Sequence, residues 1–100
     1  MRSVVFRRLA RLELEDATSW YEEREDGLGV KFRLAIEQLL KRVGTSPDQF
    51  AYVRGPIRRA VMRRYPYSVY FLNETDRVVV LAVFHAKRSP QRLQDRLDSA

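Results

Sequence analysis

The chain has 100 residues, no cysteine, a single histidine and 19 basic against 13 acidic side chains, for a net charge of +6. That length holds one domain with a modest core; the missing cysteines exclude disulfide scaffolds and thiolate-bound zinc or iron–sulfur sites, and the lone His85 excludes a histidine-rich metal site. No apolar run approaches the roughly 18–20 residues of a membrane span and Met1–Ala10 carries no signal-peptide core, so the expectation is a soluble cytoplasmic protein that uses neither metal nor cofactor.

Ser3–Arg7 (SVVFR) is short and β-branched and reads as a first strand. From Arg8 the apolar period becomes helical: Ala10, Leu14, Ala17 and Tyr21 share a face, with Trp20 alongside and expected to pack with them. Glu22–Asp26 and then Gly27 end this helix, because glycine fits the left-handed position that follows a helix end. A second helix opens near Leu28 and repeats the stripe with Leu28, Phe32, Ala35 and Leu39. Ile36, Leu40 and Val43 widen it until Gly44-Thr-Ser-Pro47 stops it. So short a joint predicts a helical hairpin.

Asp48–Gly55 reads as a loop. The period then falls to two, which predicts strands over Ile57–Tyr65, Tyr67–Leu72 and Val78–His85, the last two joined by a turn at Asn73–Asp76. Val78–Phe84 is apolar at every position, as a strand covered on both faces would be. Ser89-Pro90 reads as the cap and first residue of a short final helix ending near Leu97. The expected architecture is one α+β domain over residues 1–100. Its antiparallel-rich four-stranded sheet, in the order β-α-α-β-β-β, carries a helical hairpin on one face and a short C-terminal helix. Part of the basic sequence should lie on the other face.

The charge is unevenly spread. Residues 1–50 hold nine basic and nine acidic groups, while residues 51–100 hold ten and four. Ala51–Leu72 contains five arginines and no acid. Within Ile57–Tyr65, strand alternation sends Arg59 and Arg63 to one face and Arg58 and Arg64 to the other, a clamp for phosphates or carboxylates. The plainer explanation is an edge strand kept from aggregating by its charge.

His85-Ala-Lys-Arg88 follows the buried strand directly. There a histidine serves as acid or base near neutral pH, with Lys87 and Arg88 as cationic neighbours. No second acid–base group stands beside it in sequence, and a lone histidine at a turn is more often a hydrogen-bonded structural residue. Tyr65, Tyr67 and Tyr70 at strand spacing fit core packing better than base stacking. No phosphate-binding glycine loop, nucleophile triad or dinucleotide fingerprint is present.

These segments together resemble the RelE/ParE superfamily of bacterial type II toxins, and the ParE branch most closely. The matching residues are Trp20-Tyr-Glu22, Gly27-Leu-Gly29, Phe32, Pro47 and Phe50, then Arg63-Arg-Tyr-Pro-Tyr67, Tyr70-Phe71 and Val78–Pro90. The resemblance implies a toxin neutralised by a ParD-like antitoxin in a hetero-oligomer. ParE-type members bind DNA gyrase and trap its cleaved-DNA complex without catalysing a reaction, so nucleic acid is met only through that target. On this reading Arg58, Arg59, Arg63, Arg64, His85, Lys87 and Arg88 bind the target. Leu9, Leu12, Ile36, Leu40 and Val43 offer apolar surface to the antitoxin.

The alternative within the superfamily is a RelE-like enzyme that cuts messenger RNA on the ribosome. There His85 would act as base, with Arg63, Arg64 and Arg88 stabilising the transition state. RelE-type enzymes rely on several lysines and arginines and, in many cases, a tyrosine near the C-terminus. The segment after Arg88 has neither lysine nor tyrosine.

Overall fold

The joint between the two helices is where single residues act most directly on the architecture. In the computed structural model, which describes residues 1–100, helix α1 spans Arg8–Arg24 and α2 spans Leu28–Thr45. Gly27 between them has φ +86°, a left-handed backbone that only glycine adopts at little cost. The Glu22 carboxylate, near the end of α1, accepts hydrogen bonds from the N–H groups of Gly27 (2.9 Å) and Gly29 (3.0 Å). One helix thus caps the first turn of the other. Gly29 lets the helices touch, since a Cβ there would lie 2.8 Å from the Thr18 carbonyl oxygen. The result is the expected helical hairpin.

The sheet has five strands: β1 (Ser3–Phe6), β2 (Tyr52–Arg54), β3 (Ile57–Val61), β4 (Tyr67–Asn73) and β5 (Arg77–His85). Their order is β1-β5-β4-β3-β2, with β1 parallel to β5 and the other neighbours antiparallel. The class is the expected α+β, and the strand count is corrected from four to five. The added strand, β2, lies in the segment expected to be a loop. Its Tyr52, Val53 and Arg54 are all exposed, so no alternation of burial marks it.

Strand β3 also ends at Val61, well before Tyr65. The Met62 N–H donates to the Tyr67 carbonyl (3.0 Å) and the Tyr67 N–H to the Tyr65 carbonyl (2.8 Å), which folds Met62–Pro66 into a tight turn.

Val78–Phe84 is buried at every position, as its composition predicted. Tyr70 pairs with Ala82 and Phe71 with Val80, leaving Leu81 unpaired as a bulge. The bulge shifts the alternation by one residue. Val78, Val80 and Val83 therefore face the hairpin, while Val79, Leu81, Ala82 and Phe84 face away. His85 follows Val83 onto the hairpin side, where its ring meets Tyr67 edge-on at 5.0 Å.

The larger core lies between hairpin and sheet, built from Ala10, Leu14, Ala17, Phe32, Ile36, Leu39 and Val43 against Val69, Phe71, Val78, Val80 and Val83. Each large side chain buried here contributes about 1.5–3 kcal/mol. Tyr21, Phe32, Tyr65 and Tyr67 close its end as an aromatic cluster, with Tyr21 stacked on Phe32 at 5.0 Å. The expectation that these tyrosines pack is met. Trp20 departs from it: the indole is 49% exposed and is covered by the Arg24 guanidinium at 4.1 Å.

Helix α3 (Pro90–Asp98) covers the opposite face, its N-terminus capped by the Ser89 hydroxyl as expected. Leu93 and Leu97 seal a second core of Ile57, Tyr70, Val79, Leu81 and Phe84. That face is thus apolar beneath α3, with its arginines at the rim. No helix is long and apolar enough to cross a membrane.

Candidate functional site

Two connections meet at one end of the sheet. The Ala86 N–H donates to the Pro66 carbonyl at 2.7 Å, and Tyr67 pairs across the ladder with His85. The β3–β4 turn is thereby fixed beside the β5–α3 loop. Arg63 and Arg64 of the first line a hollow that reaches Ala86 of the second, while His85, Lys87 and Arg88 line an adjoining cleft that shares Pro66 and Tyr67 with it.

Arg63 and Arg64 are exposed and make no ion pair. Because β3 stops at Val61, they are not sent to opposite faces as alternation implied. Both line one groove of about 530 Å³ whose floor includes Ala35, Leu39 and Met62 and whose rim adds Arg42 of α2. Like charges held together without acids favour an anionic partner.

His85 is half-buried. Its Nδ1 accepts the Lys87 N–H at 2.9 Å, so a lone pair stays on Nδ1 and the ring proton sits on Nε2. That bond shapes the turn, which is the structural role the sequence favoured for a lone histidine. Lys87 is exposed and unpaired. Arg88 is engaged: its Nη1 lies 2.7 Å from Glu13 Oε2, and its guanidinium sits 4.0 Å from the Phe84 ring centre. Trp20, Tyr21, Pro66, Tyr67, His85, Lys87 and Arg88 enclose an open cleft of about 570 Å³. Burial, with the nearby Tyr67 and Tyr65, pushes the Tyr21 phenol above its ordinary value, and burial does the same to Tyr67.

Glu13 is the organising residue that sequence reasoning missed. Its carboxylate accepts two bonds from Arg96 (2.6 and 3.0 Å), one from Arg88 and one from the Val83 N–H (3.0 Å). Arg96 also donates to the Leu81 carbonyl at 2.8 Å. Together they satisfy the edge of β5 beyond the last β1 pairing, at Phe6 and Val80. No local motif signals this, since its partners lie 70 to 83 residues away.

Other expected residues fall elsewhere. Arg58 is held by the Phe50 carbonyl (2.7 Å), the Tyr52 ring and hydroxyl, and Asp48, so it fastens β2 to β3 and does not stand free for a target. Arg59 is exposed and unpaired, but faces the α3 side with Ile57 and lies away from the turn. Arg54, at the β2 edge, pairs with Asp98 and Gln94 of α3. Of the five residues expected to offer apolar surface to an antitoxin, Ile36 and Val43 are wholly buried in the main core and present none. The helical stripe is wider than a single seam because a sheet covers it. Leu40 is half-buried, whereas Leu9 and Leu12 stand exposed on α1.

A family model described as the ParE toxin of the type II toxin–antitoxin system parDE matches residues 4–90. The chain belongs to the ParE toxin family. The ParE match takes in β1 from Val4, the hairpin, the other four strands and both connections of the basic end, and reaches only the first residue of α3. Among solved structures, a chain described as "Chromosomal ParDE TA system from P. aeruginosa" superposes with a TM-score of 0.73 at 20% identity, covering 87% of this chain and 98% of its own. At that identity the likeness is one of fold. No curated protein matches the sequence. The RelE/ParE resemblance is thus resolved to ParE, and the chain is a type II toxin by family.

Proposed function

We propose that this ParE-family toxin acts by binding DNA gyrase and trapping its cleaved-DNA complex, and that a ParD-like antitoxin neutralises it. The observation that carries this reading is the end of the sheet, where Arg63, Arg64 and Lys87 stand exposed without acidic partners. Unpaired cations on two adjoining connections of one sheet suit stable attachment to an acidic protein surface or to DNA held by a protein.

The geometry supports attachment over catalysis. General acid–base cleavage needs a second proton-transfer group beside the first. The hydroxyls lining the cleft with His85 are the Tyr21 and Tyr67 phenols, which burial makes weaker acids, and Arg88 is tied to Glu13. The antitoxin reading rests on family membership, with Leu9 and Leu12 as its exposed apolar contacts on this chain. Cytoplasmic action follows from a gyrase target.

Parallel assays test the proposal. Supercoiling by purified gyrase is measured beside cell-free translation with mapped messenger ends. Loss of supercoiling with intact messenger is expected. Cut messenger with normal supercoiling would instead establish the ribonuclease alternative.

A further inference from the structure

The aromatic cleft at the basic end has a composition that attachment to a protein surface alone does not require. Its walls are π systems: Trp20 and Tyr21 from α1, Tyr67 from β4 and His85 from β5. Trp20 and Tyr21 meet edge-on at 5.1 Å, and Tyr67 and His85 do the same at 5.0 Å, so the rings are braced before anything binds. The indole is nonetheless 49% exposed, with the Arg24 guanidinium over its ring at 4.1 Å, although a side chain of that size normally seeks burial. Lys87 and Arg88 complete the rim; the nearest carboxylates, Glu13 and Asp16, line an adjoining hollow that shares Trp20, Tyr67, His85 and Arg88 with the cleft, and Glu13 is taken up by Arg88 and Arg96.

We infer that this cleft binds an unpaired nucleotide, its base against Trp20 and the tyrosines and its phosphate at Lys87. Bases stack on exposed aromatic rings largely without regard to sequence, and an adjacent cation tracks the backbone. A volume of about 570 Å³ is in the range of small-ligand clefts. His85 carries its proton on Nε2 because Nδ1 is taken by the Lys87 N–H, which leaves a donor for a base edge or phosphate oxygen. An acidic peptide would meet the cations equally well, but would not need four braced rings.

The inference rests on the toxin reading only for the source of the nucleotide. DNA opened in a cleaved gyrase complex and messenger RNA both present unpaired nucleotides with this chemistry.

Trp20 is the only tryptophan in the chain, so its fluorescence reports occupancy without a label. The purified protein is titrated with single-stranded DNA and RNA octamers, the DNA octamer as duplex, poly-glutamate and inorganic phosphate. Saturable quenching by a single strand is expected, with the duplex about tenfold weaker and phosphate ineffective. Lys87→Glu, at an exposed and unpaired position, should weaken single-strand binding about tenfold. Trp20→Leu should do the same to an end-labelled octamer followed by anisotropy. Preference for DNA over RNA places the source in the gyrase complex, and the reverse places it in messenger; either supports the site.

Absence of quenching, undiminished binding by Trp20→Leu, or equal binding of poly-glutamate would overturn the inference, the last making the cleft an acidic-peptide site. Supercoiling assayed on the same preparations separates the two readings. Gyrase inhibition without octamer binding refutes only the nucleotide cleft, whereas octamer binding without gyrase inhibition refutes only the gyrase target.

Discussion

Glu13 and Arg96 meet in a two-pronged ion pair, Nη1 to Oε2 at 2.6 Å and Nη2 to Oε1 at 3.0 Å, between helices at opposite ends of the chain. Both side chains are largely buried, 13% and 18% exposed, and the same carboxylate holds Arg88 and the Val83 N–H. One residue therefore secures α3, the edge of β5 and the loop that carries His85 and Lys87.

Glu13→Gln keeps the size of the side chain but removes the charge, leaving two guanidiniums short of their counter-ion. Removing one partner of a buried pair costs about 3–5 kcal/mol, and the residual exposure of this one puts the loss at the lower end. Urea unfolding should show that loss, and hydrogen exchange should quicken in α3 before the main core. A loss below about 0.5 kcal/mol, as for a surface pair, would show that Glu13 is not a linchpin.

Much of the fold was legible because its largest signals are local. Gly27 marked the helical joint, Ala10, Leu14 and Ala17 marked a buried face, and the unbroken run Val78–Phe84 marked a strand covered twice. The same uniformity hid the bulge at Leu81, since an all-apolar strand carries no alternation to break. With the bulge went the side on which His85 emerges. Strand β2 escaped because three exposed residues at an edge look like loop. The site was half legible: the arginine and histidine segments stood out, but the Ala86–Pro66 contact that joins them is a product of sheet register.

The helical joint makes its own test. Gly29→Ala would press a methyl onto the Thr18 carbonyl at 2.8 Å and displace Glu22 from its capping position. Overpacking of this kind costs about 1–3 kcal/mol. At Gly27, which has open space around it, the cost of alanine is only that of its left-handed backbone, about 1 kcal/mol. Thermal unfolding should rank Gly29→Ala below Gly27→Ala; the reverse order would show that the helices are not in close contact there.

Alkaline pH should weaken the fold through two phenols. Burial raises Tyr21 and Tyr67 above the ordinary 10.0, the value they regain when unfolded. Below that pH both states hold the protons, and these tyrosines leave stability unchanged. As pH rises through 10.0 the unfolded chain releases protons that the folded chain retains, so stability falls until the folded phenols ionise as well. Phenolate absorbance should then show Tyr21 and Tyr67 ionising above the ordinary value, and Tyr67→Phe should flatten the alkaline limb. An alkaline limb unchanged in Tyr67→Phe would contradict the burial described here.

Arg63→Glu with Arg64→Glu inverts the charge of the β3–β4 turn at exposed, unpaired positions. Thermal stability should stay within about 1 kcal/mol of the parent, as for surface changes. Half-inhibition of gyrase should require at least about tenfold more protein. Unchanged potency would remove this turn from the target contact.

Accumulation of cleaved DNA is the most direct readout of gyrase trapping by this chain. Gyrase and supercoiled plasmid are incubated with the purified chain, and enzyme-linked linear DNA is released with detergent and protease. Linear product should rise with added chain and disappear when its antitoxin is supplied. Undiminished supercoiling with no linear DNA, at chain concentrations that arrest growth, would contradict gyrase trapping.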